Sequence, residues 1–108
     1  MALVATQSAS GVRNNRSVGR YLTDATAAAI TITCGFKPRV VRVYNVTSGD
    51  MMEWYEGMTA AHAVKTVAAG TRSILTSLGI TVSESGFIIG LDTDVNVINE
   101  QLSWVAEG

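Results

Sequence analysis

Between Ile30 and Met58 the chain reads ITITCGFKPRVVRVYNVTSGDMMEWYEGM, three short runs in which apolar side chains recur at every second residue. That rhythm predicts β-strands, because successive side chains of a strand point to opposite faces. Ile30, Ile32 and Cys34 fall on one face, with Thr31 and Thr33 on the other. Val41 and Val43 share a face opposite Arg42 and Tyr44, and Met52 and Trp54 alternate with Glu53 and Tyr55. Turn signals separate the runs. Pro38 fixes its own φ and biases Lys37 away from the helical region. Thr47-Ser48-Gly49-Asp50 predicts a hairpin loop, with glycine supplying the positive φ such loops need.

Farther along, residues 58–72 (MTAAHAVKTVAAGTR) fit either a short helix or a strand followed by a loop at Gly70. Ile80 and Val82 then alternate with Thr81 and Ser83. Ser83-Glu84-Ser85-Gly86 predicts a turn, and Phe87–Leu91 completes a second hairpin. Asp92–Asn99 reads as a connection, and Leu102, Trp104 and Ala106 share one face of a final strand. Short strands about 8–12 residues apart predict an all-β fold, a small Greek-key or jelly-roll-like β-sandwich. Trp54 and Trp104 are expected in its core, with Tyr55 facing out. Cys34, in an apolar alternation, is expected to act as a small hydrophobe.

The beginning of the chain reads differently. Residues 1–20 are rich in Ser, Asn, Gly and Ala, carry Arg13, Arg16 and Arg20 without an acid, and show no apolar period. They predict an extended arm, with Tyr21–Ala29 as the lead-in to the first strand. The expected division is therefore an arm over residues 1–24 and a sandwich domain over 25–108. Such an arm either stays a free tail or orders when laid across a neighbour.

Length allows one domain, and a chain of 108 residues buries roughly 65% of its unfolded surface. Apolar residues make up 47% and charged ones 16%, which excludes a chain disordered throughout. A mean hydropathy of +0.25 points to apolar surface that a partner covers. The net charge of −1 hides an asymmetry. All eight Lys and Arg lie in residues 1–72 with four acids, while residues 73–108 hold five acids and no base. Opposite-signed halves set register between copies of a self-assembling subunit, although so few charges also fall unevenly by chance. No apolar run approaches the ~20 residues of a membrane helix. MALVATQSAS lacks the basic and apolar regions of a secretory signal, so a soluble protein is expected.

Catalytic chemistry finds little to work with. His62 is the sole histidine and Cys34 the sole cysteine, which excludes paired-His zinc sites and internal disulfides. No phosphate-binding glycine loop occurs. Asp92, Asp94 and Asn96 match the first odd-numbered ligands of a calcium loop, but Val97 and Ser103 stand where its glycine and bidentate glutamate belong. The expectation is a plain acidic loop, with a weak cation site as the alternative. Asn45-Val46-Thr47 and Asn15-Arg16-Ser17 match glycosylation sequons, but without a secretory signal they carry little weight. Three arginines without interleaved aromatics make a thin footprint for nucleic acid. No cofactor and no enzymatic activity are expected.

The strand ending in GFKPR, the following VRVYN strand, EWYEGM, the GITVSESGFIIG hairpin and the short aromatic strand at the end share an overall pattern over about residues 30–106. In that pattern the chain resembles the small virion structural proteins of tailed bacteriophages. The resemblance implies a capsid cement or decoration subunit located in the virion. Its partners would be the major capsid protein or other virion subunits, and further copies of itself. Arg13, Arg16 and Arg20 on the arm, and an outward Tyr55, are the residues expected to meet a partner. The alternative is a tail or adhesion module in which Tyr55 binds a host-surface glycan.

Overall fold

The computed structural model describes residues 15–108, so Arg13 and most of the expected arm lie outside the described residues. Eight strands form: β1 (Arg16–Leu22), β2 (Ile30–Thr33), β3 (Val40–Asn45), β4 (Met51–Tyr55), β5 (His62–Thr66), β6 (Arg72–Val82), β7 (Gly86–Ile89) and β8 (Gln101–Glu107). They pair antiparallel in one sheet with the order β1-β8-β3-β4-β5-β6-β7-β2. Strands β3 to β7 meander, and β8 then returns beside β3, an extended form of the Greek-key return.

The sheet curls into two layers. Phe87 on β7 meets Trp104 on β8 edge to face, with ring centroids 5.4 Å apart, although four strands separate them along the sheet. That contact is possible only if the sheet folds back on itself. Between the layers lie Val41 and Val43, Met52 and Trp54, Ala63, Ile80, Phe87 and Ile89, and Leu102, Trp104 and Ala106. Apart from Ala63, in the stretch left open between helix and strand, these residues lie on the predicted strands. Both tryptophans are buried as expected, and each fully buried aliphatic side chain contributes about 1.5–3 kcal/mol.

The expected arm needs correction over its second half. Arg16–Leu22 is not free but is the edge strand β1, paired along its whole length with β8. No apolar period announced it, because its inward positions include Ser17 and Gly19. The bulky group at that point comes from the other strand. A Cβ built on Gly19 would lie 2.4 Å from Trp104 Cζ2, so the indole fills the room that a side chain here would need.

Residues 62–66 resolve the helix-or-strand alternative in favour of a strand, with the loop at Gly70 following it. Strand β6 is bent. Ala63 pairs with Leu75 but its neighbour His62 pairs with Ile80, so residues 76–79 have no partners on β5. Leu78 turns the corner at φ 60°, and Gly79 follows where a Cβ would meet the His62 carbonyl oxygen at 2.5 Å. Such a bulge redirects a strand, and here it lets the first half of β6 pair with β5 while its last residues pair with β7.

Candidate functional site

The acidic connection between β7 and β8 holds a cation, and the cation belongs to the chain. Lys65, on the inner side of β5, is buried with its Nζ 3.2 and 3.1 Å from the two oxygens of Asp92 and 2.5 Å from Asp94 Oδ2. Asp92 Oδ2 also accepts the backbone N–H groups of Asp94 (3.0 Å) and Val95 (3.1 Å). Burial opposes the ammonium charge. Hydrogen bonds to Asp94 and Asp92, together with their negative charges, outweigh it and raise the Lys65 pKa above 10.5. Asn96, the third residue of the calcium-like spacing, points elsewhere: its Nδ2 donates to the carbonyls of Ala28 and Gly90. Among the described residues no group of three His, Cys, Asp or Glu side chains is placed to hold a metal.

The other singled-out polar residues serve the fold. Asn45 is fully buried. Its Nδ2 donates to the Val95 carbonyl and to Glu100, and its Oδ1 accepts from the N–H groups of Thr47 and Ser48. The sequon it heads therefore closes the β3–β4 turn, and its amide is out of reach of any glycan-transferring enzyme. His62 Nδ1 lies 3.1 Å from the carbonyl of Ala60, a local contact. Cys34 is half-buried with Sγ directed at the Phe36 carbonyl. Among the described residues are open depressions of about 270 and 310 Å³. Neither is lined by a histidine or a cysteine.

The outer side of the sheet has more to offer. Pairing register and strand alternation align Val18, Val105, Arg42, Glu53, Val64 and Ile74 in one transverse row from β1 to β6. A second row runs Arg20, Ser103, Tyr44, Met51, Thr66 and Arg72. Val18 is 64% exposed, Leu22 64%, Ile74 61% and Val46 51%, and Tyr44 is exposed as well. Arg16, Arg20, Arg42 and Arg72 project from the same face, against the acids Glu53 and Glu107. Arg42 bridges both acids, at 3.5 and 3.7 Å. Arg16, Arg20 and Arg72 form no ion pair among the described residues.

Three of the four residues singled out from the sequence thus share one surface. Arg16 and Tyr55 end a single row through Glu107 and Val40, and Arg20 lies four residues farther along β1 on the same face. Tyr55 is exposed as expected, but its hydroxyl donates to Glu53 and is tied into the Arg42 network. The periodicity of the chain gave no hint of Val18, Leu22 and Ile74 as surface residues. They are apolar side chains on the solvent side, which pattern reading assigns to a core. No family model matches the chain, and neither a curated protein nor a solved structure was found to match it.

Proposed function

We propose that this chain is a structural virion subunit of the tailed-phage cement or decoration type, binding a capsid lattice through the outer face of its sheet. One observation carries the reading: a broad, basic-apolar strand face on which Val18, Leu22 and Ile74 stand more than half exposed. Exposed apolar area is costly to leave in water, and beside arginines that form no ion pair among the described residues it favours a protein partner with apolar and acidic groups. The major capsid protein or a neighbouring virion subunit fits that description, with further copies of the chain alongside. A subunit that binds only the assembled lattice stabilises it by mass action, and several copies multiply modest contacts through avidity. The glycan-binding alternative draws less support, since the Tyr55 hydroxyl already has a partner in Glu53.

The test is co-sedimentation with assembled shells from the particle that carries this chain. The double variant Val18→Asp and Ile74→Asp is expected to fold, because both side chains face solvent, and to bind at least about tenfold more weakly. Unchanged shell binding by the folded double variant overturns the assignment of this face. Removing residues 1–14 asks separately what Arg13 and its neighbours add, since a longer truncation would strip β1 from the sheet.

A further inference from the structure

The buried contact of Lys65 with Asp92 and Asp94 has the parts of a self-forming amide bond. We propose that Lys65 and Asp92 join covalently, Nζ to Cγ, in an intramolecular isopeptide bond, with Asp94 as the proton carrier.

Each part has a place. The nucleophile is an amine shielded from water, and it faces both oxygens of the Asp92 carboxylate at nearly equal distance, 3.2 and 3.1 Å. Holding two reactants together in this way replaces a bimolecular encounter by an intramolecular one, with effective molarities that reach about 10⁵–10⁸ M when the geometry is well aligned. The two Asp92 oxygens differ. Oδ2 accepts two backbone N–H groups, the arrangement that stabilises the negative charge of a tetrahedral intermediate. Oδ1 receives no backbone donor among the described residues and is the oxygen that leaves. Asp94 Oδ2 lies 2.5 Å from Nζ, and its half-exposed side chain opens a path to solvent for the departing water.

Asp94 takes a proton from the Lys65 ammonium and passes it to Asp92 Oδ1. The freed lone pair of Nζ attacks Cγ, forming the C–N bond and placing negative charge on Oδ2 beneath the two N–H groups. A second proton moves from nitrogen through Asp94 to Oδ1, the C–Oδ1 bond breaks, and water departs. One ammonium and one carboxylate become one amide and one water. The charge of the pair is zero before and after, and no oxidant or reductant takes part. Oδ2 remains as the amide carbonyl, still accepting from Asp94 and Val95. The bond would tie the end of β5 to the loop before β8.

Intact mass of the purified, folded chain reads the outcome directly. The expected mass is one water below that of the sequence. No Lys or Arg follows Arg72, so trypsin is expected to release a single branched species joining residues 43–72 to residues 73–108. Lys65→Met is expected to restore the full mass. Asp92→Asn is expected to lose ammonia in place of water, which identifies Asp92 as the electrophile. Asp94→Asn keeps both reacting groups and is expected to form the bond at least about a hundredfold more slowly. A folded wild-type chain that retains its full mass after days in buffer, and yields residues 43–65 as a separate peptide, overturns the proposal. Bond formation at the wild-type rate in Asp94→Asn overturns the role given to Asp94. None of these readings depends on a capsid, so they succeed or fail apart from the proposed function.

Discussion

Lys65 shows how one residue's chemistry is decided by what the fold brings to it. On β5 it is a base in an unremarkable run, HAVKT, and its partners stand 27 residues away at Asp92 and beyond. The sign of its titration follows from those partners. A lysine whose folded pKa is raised stabilises the fold fully below its unfolded value and loses that contribution as pH rises through the folded value. For chain in which the amide has not formed, the urea midpoint is therefore expected to fall as pH climbs past 10.5, by more than in Lys65→Met. Chain shown by its mass to be linked is expected to lack that extra fall, since an amide nitrogen has no ammonium to lose. An identical alkaline profile in unlinked wild type and Lys65→Met would mean that the ion pair contributes nothing. Asn45 is the parallel case of a residue whose sequence context gives no hint of its structural role. Its side chain satisfies four groups of the turn and the β8 loop.

At the scale of elements, β1 and β6 depend on glycines placed against bulky or backbone neighbours. Gly19→Val would drive a branched side chain into the indole of Trp104, which must move or push β1 off β8. The expected cost is about 1–3 kcal/mol, with altered tryptophan near-ultraviolet dichroism reporting the displaced ring. Full stability with an unchanged spectrum would contradict the packing of β1 on β8. Strands β3, β4 and β8 were legible because each supplies its own inward alternation: Val41-Val43, Met52-Trp54 and Leu102-Trp104-Ala106. Strand β1 was not, since its inward face is small where Trp104 already fills the space. Strand β6 was legible only at Ile80 and Val82, because its earlier half carries Ile74 on the solvent side and then breaks at the bulge.

The whole molecule is held closed by contacts across its layers, of which Phe87 against Trp104 is the aromatic one. Truncating Phe87 to Ala leaves a cavity at the seam between β7 and β8. An expected loss of about 3–5 kcal/mol in chemical denaturation follows from that cavity and the lost transfer energy. A loss below about 1 kcal/mol would show that the curl is held by the strand pairing alone. The same closure creates the exposed face, since one side of the curled sheet holds the core and the other is left to solvent or to a partner. Arg16, Arg20 and Tyr55 come from separate stretches of chain, and the return of β8 between β1 and β3 sets them on one surface.

By itself the amino-acid order determined the strand class, most strand positions, the inward tryptophans and the turns, because alternation and turn chemistry act between residues close together along the chain. Tertiary structure alone decided that residues 16–22 belong to the sheet, that Lys65 fills the acidic loop, and which apolar side chains stay outside. Those outcomes rest on pairs far apart in sequence, where one residue's role is set by the volume and charge of another that no local pattern can reveal.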